Sequence, residues 1–241
     1  MLNRKECQLS IRKWQSSKGN INEILRVFPS NFIFKVTEES IKWVLKNNDN
    51  ECFVVKMGIH DDKAIVIFYP LDPSGQEKDL KEYPISFLGP LESDIKFVEQ
   101  EVRTQTKVAV LSCDLKVISR VVEESQPLYQ HQIECQDTIL EQVEDWRNES
   151  ADWFFKQINE TKGESIFNLF HVPIEDLEDG SRDIIGLFAL KYSKIYSEVL
   201  PTIIFVHHEG AVLGNSKLHS IQTNLYNWSQ PCPPFCKPKG G

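Results

Sequence analysis

The chain has 241 residues, of which 41% are hydrophobic and 26% are charged, and its formal net charge is −8. A chain of this length can form one large domain or two small ones, and its core can be sizeable without stabilisation by metals or disulfides. The negative charge disfavours nucleic acids and anionic membrane surfaces as partners, and no run of about 18 apolar residues is present that would insert into a membrane.

The N-terminal part of the chain begins with helical patterns. Residues 3–16 carry apolar side chains at helical spacing, and residues 21–28 do so directly after Asn20, a residue type that commonly caps helices. Residues 32–36 are aromatic and β-branched, which predicts a short strand, and Thr37 is placed to cap a third helix.

Two strands are predicted next. Apolar and polar side chains alternate over residues 53–60, which is typical of a strand that buries one face more than the other. Residues 64–71 are apolar at almost every position, as in a central strand covered on both faces. The connection at residues 60–63 is short and favours an antiparallel hairpin.

The middle of the chain has few residues that interrupt helices. Residues 91–162 contain no glycine and one proline, at position 127. Apolar residues such as Ile95, Val98 and Val102 keep helical spacing, so this middle third is predicted to be predominantly helical. The β-branched run at residues 108–110 leaves a strand open there.

One pattern occurs twice. Ser-x-x-Trp, followed by two apolar residues and Lys, stands at residues 40–46 and again at 150–156. Each copy begins a helix-like segment and precedes two apolar runs, and the second copy adds a third run after an amphipathic linker at residues 192–199. We interpret the copies as two αββ units in which Trp43 and Trp153 anchor helix to sheet.

The predicted fold class is therefore α+β, with two αββ-type modules of antiparallel sheet, a helical middle third and a flexible C-terminal tail. The expected domains are an N-terminal α/β module at residues 1–90, a helical connector at 91–149, a C-terminal αββ(β) module at 150–228, and a tail rich in proline, cysteine and glycine at 229–241.

Six cysteines stand at positions 7, 52, 113, 135, 232 and 236. Four of them lie within apolar or helical patterns, where a free cysteine usually behaves as a small buried hydrophobe. The basic N-terminal residues 1–6 are not followed by the apolar segment of a signal peptide. We therefore expect a protein of the reducing cytoplasm rather than a disulfide scaffold, and the redox state of Cys232 and Cys236 stays open.

The tail holds the most unusual local feature. Cys232 and Cys236 flank Pro-Pro-Phe, and two thiols at this spacing could form a reversible disulfide or supply half of a zinc site, which normally needs four ligands. No second pair with ligand spacing accompanies them, so we expect a tail in which Phe235 and the prolines pack on the body. The terminal Gly241, after another glycine, leaves open that the tail is modified, cleaved or conjugated.

Four residues are candidates for chemistry. His207 and Glu209 share one face of the last predicted strand, because side chains alternate between the faces. Together with His60 and His171, they could form an acid–base site between the modules, as in a hydrolase or transferase. The alternative for the strand end is an ordinary polar terminus.

Acidic residues stand in both modules near predicted turns. Asp61 and Asp62 lie in the first hairpin, and Glu175 and Asp176 lie in the second module. They could form a metal or cation site at matching edges of the two modules. The more ordinary interpretation is that they are turn residues exposed to solvent.

Motifs for a P-loop, a G-x-G-x-x-G nucleotide site, a G-x-S-x-G nucleophile or an H-E-x-x-H zinc site are absent from the sequence. We therefore expect no cofactor. The predicted function is a non-enzymatic binding or adaptor protein that uses its acidic surface and its tail to contact another protein. The alternatives are the enzyme with the histidine and carboxylate site, and a protein whose tail is a substrate for modification.

Overall fold

The computed structural model describes residues 1–92, 104–111, 117–125, 136–177, 183–207, 229–234 and 236. Residues 104–111 and 117–125 are described by their backbone alone.

The four helices of this part of the chain are α1 (Arg4–Ser17), α2 (Ile21–Val27), α3 (Glu38–Asn47) and α4 (Gln136–Thr161). The first three begin where a side chain satisfies free backbone N–H groups. Asn20 accepts hydrogen bonds from Asn22 N and Glu23 N, and Thr37 accepts one from Ser40 N. The helix starts predicted at Asn20 and Thr37 are confirmed.

The strands of the described residues are β1 (Leu2–Asn3), β2 (Phe32–Val36), β3 (Cys52–His60), β4 (Lys63–Tyr69), β5 (Glu82–Tyr83), β6 (Ile85–Pro90), β7 (Thr104–Leu111), β8 (Val117–Ser125), β9 (Leu169–Pro173), β10 (Ile184–Ser193), β11 (Glu198–His207) and β12 (Gln230–Cys232). The hairpin predicted around residues 60–63 is confirmed as β3 and β4. Its two turn residues, Asp61 and Asp62, have φ of 48° and 58°, as a tight hairpin turn requires.

Eight of these strands form one antiparallel sheet, in the order β11-β10-β2-β6-β4-β3-β9-β12. The two ends of the sheet meet at Ser229, which directly precedes β12. Its hydroxyl oxygen accepts a hydrogen bond of 2.6 Å from Ile203 N, in β11, and lies 3.0 Å from Ile203 O. The sheet is therefore nearly closed, like a barrel.

The strands fall into two sets of four with the same spatial order. The first set lies in the order β2-β6-β4-β3. Once the Ser229 contact joins β12 to β11, the second set lies in the order β9-β12-β11-β10. In each set, the strands that come first, fourth, third and second along the chain are thus neighbours in that order. The pairings β3 with β9 and β10 with β2 connect the sets. Strands of both predicted modules thus belong to one sheet. The structure supports an α+β fold with antiparallel sheet.

The prediction of a helical middle third is wrong over β7 and β8, which form a separate antiparallel hairpin. Each of these strands contains four β-branched residues, which lose side-chain freedom in a helix and pack well on a pleated sheet. The described helix of this part of the chain is α4, Gln136–Thr161.

The expected flexible tail begins instead as part of the sheet. β12 pairs with β9, with Gln230 opposite His171 and Cys232 opposite Leu169. Asn168 N also donates a 2.7 Å hydrogen bond to Cys232 O. The remaining expectations for the tail concern Phe235 and residues 237–241, which lie outside the described residues.

The interior of the sheet is filled by phenylalanine side chains. Six strands contribute one ring each, none more than 2% exposed, at positions 34, 53, 68, 170, 188 and 205. The helices extend this core, since Phe28, the C-cap residue of α2, contacts Trp146 and Phe154 of α4 with ring centroids 5.5 and 6.1 Å apart. Functional groups therefore have to be sought on the outer face, at the hairpins and at the helices.

Candidate functional site

The structure separates two of the predicted histidines, His60 and His171. His171 stands opposite Val54 of β3, and His60 ends the same strand six residues further on. At about 3.3 Å per residue, the two histidines are about 20 Å apart, beyond the reach of a shared hydrogen bond. His207 ends β11, opposite Ile184. Its side chain and Glu209 lie outside the described residues.

His60 belongs to the local structure of its hairpin. Its Nδ1 lies 3.4 Å from the hydroxyl of Ser10 in α1, and its Nε2 lies 3.5 Å from a carboxylate oxygen of Asp61. Its ring centroid is 6.4 Å from that of Phe87. These contacts tie the end of β3 to its neighbours.

His171 is buried, and neither of its ring nitrogens has a hydrogen-bond partner among the described residues. Burial lowers its pKa, and the negative charge of Glu77 opposes this effect. Since the ordinary pKa of histidine is already below 7, His171 is neutral at pH 7.

Asp176 is a second buried polar group, in a short 3-10 turn, Ile174–Leu177, after β9. It is 2% exposed, and neither carboxyl oxygen has a hydrogen-bond partner among the described residues. Burial, with a smaller effect of Glu175, raises the pKa of this carboxyl to about 8. Solvated turn residues are thus the wrong interpretation for Asp176, although its neighbour Glu175 is exposed.

No cluster of three or more potential metal-ligating side chains is found among the described residues. Cys52 is a free cysteine near Asp176. Its thiol has a raised pKa because it is partly buried and because the carboxyl groups of Glu51, Asp176 and Glu175 lie nearby. A thiol in such surroundings is a poor nucleophile at pH 7.

The tail cysteines are joined. Cys232 and Cys236 form a disulfide, the first of the two uses considered for this pair. Cys232 is buried within β12, and Cys236 is exposed. Since both sulfur atoms are bonded to each other, the pair offers no thiolate to zinc in this state.

The sequence pattern missed the most exposed apolar part of the described chain. The linker predicted at residues 192–199 is the end of the β10–β11 hairpin, in which residues 194–197 form the turn and the residues on either side belong to the strands. Four of these side chains, here called the apolar tip, are exposed: Tyr192 by 58%, Ile195 by 65%, Tyr196 by 42% and Val199 by 41%. An alternation of apolar and polar residues predicts exposure on one side, but it does not show which residues a neighbouring element covers.

The apolar tip is held in place by its own hairpin and by α4. Tyr192 stands directly opposite Val199 in the strand register. The ring N–H of Trp153 donates a 3.1 Å hydrogen bond to Val199 O. Ser197 closes the turn with φ of 54°, a conformation that most residues other than glycine avoid.

None of the helices in the described part of the chain is long and apolar enough to cross a membrane. No family model, curated protein or solved structure matches the chain.

Proposed function

We propose that this chain is a non-enzymatic binding protein that engages another protein through the apolar tip. The observation that carries the proposal is the exposure of four apolar side chains, each at least 41% exposed, at the end of one hairpin. Contiguous exposed apolar surface on a protein commonly marks an interaction site. Full burial of a large apolar side chain contributes about 1.5–3 kcal/mol, and covering the exposed part of each of these side chains contributes a share of that value.

The apolar tip is supported well enough to bind as a preformed element. β10 and β11 are paired in register from Ile184 opposite His207 to Ser193 opposite Glu198. α4 packs along β10, and Trp153 binds the backbone at Val199. A partner therefore has little chain to order on binding, which favours affinity.

The charge of the chain indicates the kind of partner. A net charge of −8 repels a second copy of the chain and an anionic membrane at long range. It attracts proteins whose surface is positive. We therefore expect another protein with an apolar groove, rather than a second copy of the chain or an anionic membrane, as the partner.

The test compares crosslinking at two exposed positions. A photoreactive amino acid placed at Ile195 in the full chain is expected to capture one defined protein in native cells. The same amino acid at Leu9, which is 57% exposed on α1, serves as the control and is expected not to capture it. The captured protein, once purified, should bind wild type with micromolar affinity or better and Ile195→Ser at least ~10-fold more weakly.

Three outcomes would contradict the proposal. Equal capture at both positions would show that exposure alone determines the crosslink. Self-association of the purified chain that Ile195→Ser abolishes would assign the apolar tip to a second copy. Unchanged affinity of Ile195→Ser for the captured protein would place the contact elsewhere.

A contribution of the tail to binding is part of this proposal and needs a particular truncation. Deletion of residues 229–241 would remove β12 and the Ser229 hydroxyl that joins the ends of the sheet. A chain that ends at Cys236 keeps both. Weaker binding of the captured protein to that shorter chain would assign a contact to residues 237–241.

A further inference from the structure

A pocket of about 360 Å³ lies between α1 and residues 77–79, on the face of the sheet opposite the phenylalanine core. Its volume falls in the range of about 300–1,000 Å³ that is typical of small-molecule sites. Tyr69 and Tyr83 line it from the sheet side, and Ile11 and Arg12 line it from α1. We call it the basic pocket.

The basic pocket is positive although the chain is negative. It is lined by four cationic side chains, Arg4, Arg12, Lys56 and Lys78, and by two carboxylates, Glu77 and Asp79. The lining thus has an excess of two positive charges, whereas the whole chain has a net charge of −8. A local field of this sign attracts an anion, while the field of the whole chain repels a long polyanion such as nucleic acid.

Both carboxylates of the lining are already paired. Glu77 lies 2.6 Å from Lys56 Nζ, and Asp79 lies 2.7 Å from Arg4. Lys78 pairs with Asp49, which is outside the lining.

Arg12 has no ion-pair partner among the described residues, which leaves its guanidinium for an external anion. A guanidinium binds carboxylate and phosphate groups through two parallel hydrogen bonds. The side of α1 that faces the pocket therefore presents one positive charge, that of Arg12, which forms no ion pair with a described residue.

The wall opposite α1 is fixed in place. The hydroxyl of Tyr83 donates a 2.9 Å hydrogen bond to Lys78 O and accepts one of 2.9 Å from Leu80 N. Its ring stacks on Tyr69 with centroids 4.1 Å apart. The ammonium of Lys56 lies 4.3 Å from the centroid of Tyr69, in addition to its pairing with Glu77. A ligand would thus meet walls that need little rearrangement.

We propose that the basic pocket binds a small organic molecule with one oxyanion group, a phosphate or a carboxylate, which pairs with Arg12. The organic part lies along Ile11 and the edge of Tyr69. An inorganic ion would fill only a small part of 360 Å³ and would gain no apolar contact. This inference is independent of the apolar tip, which lies on a different hairpin.

The test measures binding of phenyl phosphate, benzoate and inorganic phosphate to the full chain by isothermal titration calorimetry at low salt. At least one of the two organic probes is expected to bind, more tightly than inorganic phosphate. Arg12→Gln should weaken that binding ~10-fold, because it removes a charge-assisted hydrogen bond. Lys13→Gln removes the same charge from the next residue, which does not line the pocket, and should change the affinity by less than ~2-fold.

A third variant gives an effect of opposite sign. Glu77→Gln releases Lys56 and raises the positive excess of the lining, so binding should become tighter. The relative affinities of phenyl phosphate and benzoate identify the preferred oxyanion. The inference is overturned if neither probe binds wild type with a Kd below ~1 mM, if Arg12→Gln and Lys13→Gln lose affinity equally, or if Glu77→Gln weakens binding.

Discussion

Replacement of Asp176 by asparagine is expected to stabilise the protein, and increasingly so as the pH rises. Asp176 is 2% exposed, and no described residue donates a hydrogen bond to its carboxyl oxygens. Ionisation in this place would put an uncompensated charge into the core, so the folded protein keeps the carboxyl protonated up to a pH of about 8. Asparagine has a similar shape and cannot ionise.

The sign follows from proton binding in the two states. The unfolded chain releases the proton of Asp176 near pH 3.8, whereas the folded chain releases it near pH 8. Between these values the folded state holds one proton more, so its stability falls as the pH rises. The stabilising effect of the bound proton is fully present below pH 3.8 and is lost as the pH passes about 8.

The magnitude of the stability change follows from the pH interval between 3.8 and about 8. One pKa unit corresponds to about 1.4 kcal/mol, so the free energy of unfolding is expected to fall by about 1.4 kcal/mol per pH unit within the interval. The whole effect is on the order of 5 kcal/mol, a large part of the stability of an ordinary domain. Asp176→Asn removes this dependence of stability on pH. The cost of burying a polar group with few hydrogen-bond partners remains, because it applies to the asparagine amide as well as to the aspartic acid carboxyl.

The assay is urea unfolding of wild type and Asp176→Asn between pH 5 and pH 9, followed by tryptophan fluorescence. The difference between the two free energies of unfolding should grow with pH and level off above about pH 8. Glu175→Gln removes an exposed carboxylate from the preceding position and is the matched control, for which only a small change of the difference with pH is expected, because Glu175 has the smaller effect on the pKa of Asp176. A constant difference for Asp176→Asn, or a difference that shrinks as the pH rises, would refute the reasoning, because Asp176 would then have a partner that stabilises its charge.

Two further predictions concern the sheet. Ser229→Ala removes the hydroxyl that binds Ile203 N and should lower the free energy of unfolding by about 2 kcal/mol in urea titrations, because a buried N–H loses its partner. Wild-type stability would show that the ends of the sheet are held by other contacts. Gly186→Ala should cost about 1–3 kcal/mol, since a Cβ at this position would come within 2.1 Å of the Phe34 ring. Gly89→Ala, where no atom lies within 4 Å of the added Cβ, is its control, and equal losses in the two variants would contradict this account.

Local elements were predictable because their causes lie within a few residues. Asn20 and Thr37 cap helices through hydrogen bonds to backbone groups two or three positions ahead. The β3–β4 hairpin follows from two apolar runs joined by a short polar turn. Where two local patterns competed, as in β7 and β8, helical spacing gave the wrong prediction and the β-branched composition indicated the strands.

The repeated Trp pattern shows the limit of this kind of reasoning. Trp43 lies in α3, between β2 and β3, whereas Trp153 lies in α4, before β9. The two helices therefore occupy different places relative to the two sets of four strands. A short sequence pattern indicates that a helix has one apolar face, but it does not indicate which strands that face covers.

The candidate sites depend on contacts between distant parts of the chain. The basic pocket combines α1 with residues 77–79, and the apolar tip is exposed only because no described element covers its four side chains. The separation of His60 from His171 is set by the pairing of β3 with β9. None of these relations has a signal in the sequence around the residues concerned.

By itself, the sequence determined the negative charge, the helix starts, the hairpin at residues 60–63 and the α+β class, because each follows from composition or from hydrogen bonds between near neighbours. The tertiary structure alone decided the strand order, the closure of the sheet at Ser229, the burial of Asp176 and the places where charge and apolar surface remain unpaired. The physical reason is that burial and strand pairing are set by which surfaces meet, and those surfaces come from distant parts of the chain, such as Trp14 and Phe167, which are 153 positions apart.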